Sequence, residues 1–504
     1  DTYLDKHWQQ YLDLRDQTSK TQSLETTWSL NYQFDENHAM GIRYNFERTP
    51  QYYGYLNQFA QSYCNKELYE DLYSTIISDD PETYHRSNFY YNGKVKNWSI
   101  DFNADGLWSD TKNTQTAKED IKEGANEDSD RTVTTFNTNK NELYAAKLVL
   151  SHPFGKGELS FGAEYSHNKR NTTYFNKEGI IEDNQAMIKE GATSVFVEYT
   201  KAFNQVQMQL GLRYEHVGFD YYDAGKLVAE QSKNYSNLFP SITFGFPIKG
   251  VQVQLGYAND IVRPDYWDLR SNATYINRYM YSKGNPFLMP SITHNATLSA
   301  SYQWINLYVG YSHIMDAMIQ HTVAYSDNDP TIAMLSTLNG NAYDKLVASI
   351  NFSPTIGCWT PQLGLAIQKQ WYEGETPQGK ENFHKPMATV TLRNNFKLPI
   401  GFLLDVNGSW NTKGYSRNVY LEEHIVDMNA SLYKSFFNDN LSVRLRASNI
   451  FEPKQVATIF SGIRVMRNTL FSHRQFTFTL QYKFNHTKSK YKGTGAGESQ
   501  KSRM

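Results

Sequence analysis

The stretch QFTFTLQYKFN, residues 475–485, decides the fold class of this chain. Large apolar side chains alternate with polar ones at Phe476, Phe478, Leu480, Tyr482 and Phe484. This strict alternation predicts a β-strand with one apolar face and one polar face. In a soluble protein the apolar face would contact a core. In a membrane β-barrel it would contact lipid, while the polar face would line a water-filled interior.

The composition favours the membrane barrel. The chain has 504 residues and a mean hydropathy of −0.64, yet 15% of its residues are aromatic. A soluble core relies mainly on Leu, Ile and Val, whereas a transmembrane barrel combines two aromatic girdles with a wet interior. No run of about eighteen apolar residues occurs, so the sequence predicts no membrane-spanning helix.

Charge, cysteines and motifs exclude several classes of function. The net charge of −2 gives no reason to expect nucleic-acid binding. Cys64 and Cys358 are too few for a disulfide framework or a zinc site. No GxSxG or HExxH motif is present, so we predict neither an enzyme nor a cofactor. The motif GTGAG (493–497) lacks the strand and helix of a phosphate loop, and we interpret residues 485–504 as a disordered polar tail.

The alternating pattern recurs along residues 23–484 as hairpins with short turns. Four of these turns lie near 35–38, 152–157, 246–250 and 397–400. Long polar stretches separate the hairpins, at 49–82, 111–140, 171–190, 222–235, 264–290 and 372–385. Short and long connections alternate in outer-membrane barrels, which have short periplasmic turns and long external loops. We therefore predict an all-β fold, one large antiparallel transmembrane barrel with about nineteen strands in this chain and the short turns at one end.

Residues 205–215 allow the two faces of one strand to be assigned. The apolar side chains are predicted to face lipid, and they are Val206, Met208, Leu210 and Leu212. The polar side chains are predicted to face the lumen, and they are Gln207, Gln209 and Arg213. Two polar segments have helical spacing instead and predict loop helices. The first contains Leu4, Trp8, Tyr11 and Leu12, and the second contains Leu68, Leu72 and Ile76. The acidic stretch 118–130 does not exclude a calcium site. It lacks the ligand spacing of an EF-hand, however, and is explained more simply as a solvated loop.

The stretch 263–291, RPDYWDLRSNATYINRYMYSKGNPFLMPS, is the most distinctive polar connection. Arginine and aromatic side chains suit ligand recognition because their planar groups stack and form paired hydrogen bonds. An aromatic girdle with a structured barrel rim is the alternative, and the two interpretations are compatible. The candidate ligand-binding residues in this external loop are Arg263, Tyr266, Trp267, Arg270, Tyr275, Arg278, Tyr279 and Tyr281.

Several of these segments carry a resemblance to a known family. RPDYWDLRSN (263–272), SKGNPFLMPSITHNATLSASY (282–302), LGLRYE (210–215), SNIF (448–451) and the aromatic strand at 475–484 resemble the barrel of TonB-dependent outer-membrane receptors. The version resembled is the one common in Bacteroidetes. The resemblance covers residues 23–484 and implies a 22-stranded barrel, an N-terminal plug and a TonB box. It also implies import of scarce ligands across the Gram-negative outer membrane.

The chain departs from that family pattern at its start. Neither a plug nor a TonB box precedes the first hairpin, and the counted strands fall short of 22. We therefore expect the C-terminal barrel portion of a receptor, with the plug domain absent and residues 1–22 forming an external loop or partial strand. Strands 25–34 and 475–484 should then not form one continuous ladder.

The partners implied are outer-membrane lipid, the TonB complex through the missing plug and a surface lipoprotein, without nucleic acid. A passive porin or an adhesion barrel is the alternative function. The ligand is not identified by the sequence.

Overall fold

The computed structural model describes residues 2–3, 6–124, 130–326, 329–484 and 491–504. Within these residues the wall of the molecule is one antiparallel sheet of 22 strands. Two of them, Thr2–Tyr3 and Lys226–Leu227, are only two residues long. The strands Glu67–Asp79 and Glu82–Val95 lie end to end between the same two neighbours and count as one position. Without the two short strands, the described wall therefore has nineteen strand positions, as the sequence predicted.

We label these positions β1 to β19, counting the interrupted strand as β3. Their bounds are β1 Lys6–Gln33, β2 His38–Cys64, β3 Glu67–Asp79 with Glu82–Val95, β4 Trp98–Gly124, β5 Arg131–Phe154, β6 Gly157–Asn176, β7 Asn184–Phe203, β8 Val206–Asp223, β9 Lys233–Ile248, β10 Val251–Val262, β11 Ser291–Tyr302, β12 Ile305–Met315, β13 Tyr343–Phe352, β14 Trp359–Trp371, β15 Met387–Lys397, β16 Phe402–Asn411, β17 Ile425–Phe436, β18 Leu441–Ser448 and β19 Gln475–Tyr482.

The connections on the long-loop side contain smaller sheets. One has four strands, Ala273–Asn277, Met280–Lys283, Met318–Ser326 and Asp329–Asn339. A second has Gly414–Ser416, Val419–Leu421, Lys454–Ser461 and Arg464–Phe471, and a two-stranded hairpin joins Glu373–Thr376 to Gly379–Asn382. The described helices are a 3₁₀ turn at Pro399–Gly401 and an α-helix at Glu498–Lys501. Neither has the length and apolar character that a membrane-crossing helix requires.

The short turns confirm the predicted topology. Consecutive strands of the wall pair antiparallel, so the turns near 35–38, 152–157, 246–250 and 397–400 lie at the same end. Two of them are tight turns with left-handed residues, Gly155 (φ 52°) with Lys156 (φ 64°) and Lys249 (φ 48°) with Gly250 (φ 86°). Such turns match the right-handed twist of the flanking strands.

The wall extends much farther on the long-loop side than the sequence predicted. Strands β1, β2, β4, β5 and β6 are 20 to 28 residues long, whereas about ten suffice to cross a bilayer. Parts of the predicted loops 49–82, 111–140 and 171–190 are therefore strand. The two predicted loop helices are wrong, because Tyr11 pairs with Gln61 and Leu72 pairs with both Ala60 and Ile121. The long neighbouring strands supply hydrogen-bond partners for the backbone N–H and C=O groups there. This pairing outweighs the helical spacing of the apolar side chains.

The faces of β8 agree with the predicted assignment. Leu210, Leu212 and Tyr214 are 37%, 43% and 44% exposed on one face. Arg213 lies on the other face, where it forms an ion pair of 3.0 Å with the buried carboxylate of Glu215. The apolar set therefore faces outward and Arg213 faces the lumen.

Leu210→Arg should destabilise the barrel by ~2–4 kcal/mol, because the guanidinium would lie in hydrocarbon near the bilayer midplane. Refolding into lipid vesicles with a urea titration measures this difference. Gln209→Arg on the opposite face of β8 is the matched control and should change the free energy of unfolding little. Equal stability of Leu210→Arg and the unsubstituted chain would contradict the assignment.

The two outermost strands do not pair with each other in the described part of the chain. Strand β1 forms ladders with Thr2–Tyr3 and β2, and β19 forms a ladder with β18 alone. Phe476, Phe478 and Leu480 of β19 are 79%, 63% and 61% exposed. The prediction that these two strands form no continuous ladder is confirmed for the described residues.

Residues 491–504 differ from the predicted disordered tail. They lie against the lumenal face of the wall, and Ala496, Gln500 and Arg503 are buried there. The composition offers no apolar core, but backbone N–H groups and cationic side chains find acceptors on β4, β6 and β7. The first part of the predicted tail, 485–490, lies outside the described residues.

Candidate functional site

Residues 263–290, which join β10 to β11, fold into the barrel and are called the inward segment below. Tyr266, Leu269 and Leu288 of this segment are 1%, 1% and 0% exposed. They form one apolar cluster with lumenal residues of β7 and β8, namely Ala186, Ile188, Phe219 and Tyr221. The segment is therefore packed against the wall and is not a free external loop.

A single buried carboxylate holds the far end of the inward segment. Glu119 of β4 is 1% exposed and accepts a hydrogen bond of 2.5 Å from the hydroxyl of Tyr275. Arg131 Nε donates to it at 2.8 Å, and Arg278 donates through its backbone N–H at 3.2 Å and its Nε at 3.3 Å. Burial, and then the charge of Glu119, raises the pKa of Tyr275 above its ordinary value. Tyr275 therefore stays protonated and donates to Glu119.

A second buried carboxylate holds the root of the segment. Arg263 Nη2 donates to Glu215 of β8, and both side chains are about 95% buried. Arg213 forms an ion pair with the same carboxylate at 3.0 Å. The hydroxyl of Tyr266 donates to Glu190 of β7 at 3.2 Å. The root is thus fixed by charge-assisted hydrogen bonds to two neighbouring strands.

Arg270 is an internal brace of the segment. It is 4% exposed and donates to the backbone oxygen of Trp267 at 2.9 Å, to Thr274 Oγ1 at 3.1 Å and to Ser282 Oγ at 3.0 Å. Its Cζ lies 3.6 Å from the centre of the Trp267 ring. Burial lowers the pKa of Arg270 to about 10, so the guanidinium remains charged at neutral pH.

The predicted candidate residues therefore belong to one segment but not to one ligand-binding surface. Tyr281 packs against Tyr275 and Tyr325, at ring distances of 5.6 and 4.8 Å. Tyr279 packs against an apolar cluster formed by Ala60, Leu72 and Ile121. Trp267, at 43% exposed, is the member of the predicted set with a widely accessible ring.

A cavity of about 390 Å³ opens beside Trp267, between the inward segment, the wall and residues 502–504. The wall contributes Glu82, Tyr84, Thr111, Asn139, Asn141 and Arg170. Arg170 is oriented by Asn139 Oδ1 at 2.9 Å and Asn141 Oδ1 at 3.3 Å. The volume is in the range of small-ligand sites. Asp265 and Glu82 place two carboxylates in the same lining as Arg170 and Arg503. The tryptophan ring and the Arg170 guanidinium suit a planar ligand with an anionic group beside Arg170.

The acidic stretch 118–130 gives no calcium site in the described chain. No group of three or more His, Cys, Asp or Glu that could hold a metal occurs among the described residues, and 125–129 lie outside them. Glu119 is committed to Arg131, Arg278 and Tyr275, and the carboxylate of Asp130 accepts the N–H of Ile121 at 3.0 Å.

A family model described as "Outer membrane protein beta-barrel family" matches residues 91–482. This chain belongs to the outer membrane protein β-barrel family. It is accordingly a protein of the Gram-negative outer membrane, in a family of barrels and not of enzymes. A search of curated proteins found no match.

Three solved structures share the fold of this family member. The ferric-catecholate import receptor Fiu of E. coli K12 is 13% identical, with a TM-score of 0.56 over 94% of this chain and 81% of Fiu. The siderophore receptor PiuA of Acinetobacter baumannii is 11% identical, with a TM-score of 0.55 over 94% of this chain and 81% of PiuA. FpvAI, solved in complex with pyocin S2, is 11% identical, with a TM-score of 0.55 over 95% of this chain and 73% of the matched chain. At these identities the likeness concerns the fold.

Proposed function

We propose that this barrel takes up a scarce ligand across the outer membrane with energy delivered through TonB. The observation that carries the proposal is the inward segment, which buried carboxylates hold inside the lumen above a ligand-sized cavity. A passive channel requires an open path, whereas a receptor requires a shaped site at its external end. The receptors that share this fold, Fiu and PiuA, carry iron chelates in their names, which makes a ferric chelate the first ligand to test.

Strands β1 and β19 are the two open edges of the described sheet. In lipid each unpaired backbone group costs several kcal/mol, so β1 and β19 require pairing partners. We propose that further strands of the same receptor join these two edges and bring the barrel to 22 strands, the size at which the lumen is plugged. The TonB contact would then be made through the plug, as the family resemblance implies. A surface lipoprotein would contact the external loops.

Within the site we assign ligand contact to Trp267 and to Arg170 on the wall. Arg263, Tyr275 and Arg278 of the predicted set shape the site, because they do not line the cavity and their polar groups are bonded to the wall. A planar anionic chelate would stack on the free face of the indole and accept hydrogen bonds from the guanidinium.

Uptake of a radiolabelled ferric catecholate by cells that express the complete receptor gene tests this function. Uptake should exceed that of cells without the gene and should stop when a protonophore collapses the proton gradient. Uptake that continues in the presence of the protonophore would support the passive porin. Lack of uptake from a panel that also contains haem and other ferric chelates would overturn the iron assignment.

Trp267→Ala should lower this uptake about ten-fold, the typical cost of removing one aromatic anchor from a binding site. Trp304→Ala is the matched control, because Trp304 has the same 43% exposure but lies at the short-turn end, in the turn between β11 and β12. Trp267→Phe should retain most of the uptake. Equal loss in the Trp267 and Trp304 variants would remove the assignment of Trp267 to the ligand.

A further inference from the structure

Residues 491–504, called the strap below, run along the lumenal face of the wall from the short-turn end. Lys492 Nζ donates to Gln33 Oε1 at 3.4 Å, beside the turn between β1 and β2. The ring of Tyr491 lies 3.8 Å from the guanidinium carbon of Arg43 and 5.0 Å from the ring of Tyr90. Its hydroxyl contacts the side chain of Asn88. The strap therefore begins at the mouth opposite the long loops.

The motif GTGAG forms the middle of the strap and presents four consecutive backbone N–H groups to the wall. Those of Thr494 and Gly495 donate to Asn103 Oδ1 at 3.0 and 3.1 Å. The N–H of Ala496 donates to Asp105 Oδ1 at 3.1 Å, and that of Gly497 donates to Glu164 Oε1 at 2.8 Å. Gly495 (φ 81°) and Gly497 (φ 69°) adopt left-handed conformations that favour glycine. Consecutive N–H groups of this kind make a concave site for anionic oxygens.

The last part of the strap reaches the root of the inward segment. Lys501 Nζ contacts Asp105, and Ser499 Oγ accepts a hydrogen bond of 2.7 Å from Arg263 Nη1. Arg503 is 8% exposed, and it donates from Nη1 to Glu190 Oε1 at 2.7 Å and from Nε to the backbone oxygen of Pro264 at 2.8 Å. Its Cζ also lies 4.2 Å from the centre of the Tyr266 ring.

We propose that the lumenal face of β4, β6 and β7 is a docking site for a glycine-rich, cationic peptide, and that its occupant is residues 491–504 of the same chain. Four side chains on the wall accept from the strap: Asn103, Asp105, Glu164 and Glu190. Asn103 accepts two backbone N–H groups, Asp105 accepts one N–H group and contacts Lys501, Glu164 accepts one N–H group, and Glu190 accepts from Arg503. A carboxylate such as Glu190, which is 2% exposed, is costly to bury without a cation. Docking supplies that cation.

The docked strap connects the two ends of the lumen. One end lies beside Gln33 at the short-turn mouth, and the other holds Arg263, Pro264 and Tyr266 at the root of the inward segment. Withdrawing the strap from the short-turn side would remove these contacts and the hydrogen bond of 3.4 Å from the backbone N–H of Tyr266 to the backbone oxygen of Arg503. The strap therefore fixes the inward segment from below, whatever ligand the barrel carries.

Cysteine labelling of outer membranes from cells that express the complete gene tests the docking without any transport assay. In a Cys64→Ser, Cys358→Ser background, Ala496→Cys places a thiol at a position that is 1% exposed when the strap is docked. A water-soluble maleimide should label it at least ten-fold more slowly than Lys492→Cys, an exposed position of the same strap. Equal labelling rates at the two positions would overturn the proposal.

Two further substitutions in the Ala496→Cys chain identify the contacts responsible. Arg503→Ala should speed labelling on the order of ten-fold or more, since it leaves Glu190 buried without its cation. Ser502→Ala is the matched control, because the hydroxyl of Ser502 bonds within the strap, to the oxygen of Ser499 at 3.2 Å. Its labelling rate should not change.

Disulfide formation gives a second, positive readout. Ala496 shares an apolar cluster with Leu107, Leu143 and Ala145. Mild oxidation should join Ala496→Cys to Ala145→Cys and should fail with Ala186→Cys, a buried alanine of β7 in a different cluster. Cross-linking to both positions, or to neither, would mean that the strap does not occupy this site. Failure of iron uptake would leave these results unaffected, so the two proposals can be rejected separately.

Discussion

Glu119→Ala is expected to expose the inward segment to trypsin in intact outer membranes while the barrel wall stays folded. The substitution removes a carboxylate that accepts from Tyr275, Arg131 and Arg278. The hydroxyl of Tyr275, which is 6% exposed, loses its carboxylate acceptor, and an unsatisfied buried donor costs about 1–3 kcal/mol. The partly buried guanidinium groups of Arg131 and Arg278 lose an anionic partner as well. The penalty is concentrated at residues 263–290, because β4 itself keeps its ladders with β3 and β5. New cleavage after Arg278 and Lys283, detected by mass spectrometry, is the measurement.

Two variants serve as controls for this result. Glu119→Gln keeps the shape and an acceptor oxygen, so it should give intermediate cleavage. Arg131→Ala should give less cleavage than Glu119→Ala, because Arg278 continues to neutralise the carboxylate. If all three variants resist trypsin like the unsubstituted protein, the inward segment is not held by Glu119.

Glu215→Ala should destabilise the protein far more than Arg263→Ala, although the two residues are partners. Removing Glu215 leaves Arg263 buried without its carboxylate, at a cost of about 3–5 kcal/mol. Removing Arg263 leaves Glu215 with Arg213 at 3.0 Å, so its charge stays compensated. We expect the Arg263→Ala penalty to be about half as large or smaller.

Urea titration of the vesicle-refolded protein measures both free energies of unfolding. The double variant Glu215→Ala, Arg263→Ala should be more stable than Glu215→Ala alone, because the uncompensated cation is gone. Equal penalties for the two single variants would show that Arg213 does not share the carboxylate in the membrane.

The sequence alone predicted the wall of the barrel well. Strict alternation in strands such as β8 and β19 fixes which side chains face lipid, and short turns such as Lys249–Gly250 fix which strands pair. Neither property depends on distant residues. The failures lie where distant strands decide the structure. Tyr11 and Leu72 have helical spacing, but pairing with Gln61 and Ala60 keeps both in strands.

The candidate site was predicted less completely. The sequence drew attention to the segment that contains Trp267, but it gave no way to separate the exposed indole from arginines that are bound to the wall. The cavity residues Tyr84, Asn139 and Arg170 come from three strands, so no short window of sequence contains them. The acceptors of the strap on β4, β6 and β7 are separated from it by more than 300 residues. The glycine-rich motif itself was the visible signal, and its acceptors could not be deduced from it.

The unusual length of the first strands has a consequence for where the cell surface begins. At about 3.3 Å per residue, the 28 residues of β1 span roughly 90 Å, which a tilt of about 40° reduces to roughly 70 Å of height. The apolar band of such barrels is only about 25 Å tall. Several tens of ångströms of ordered wall therefore project from the membrane on the long-loop side. Antibodies and bacteriophages would meet a rigid protein rim there before they reach the lipid.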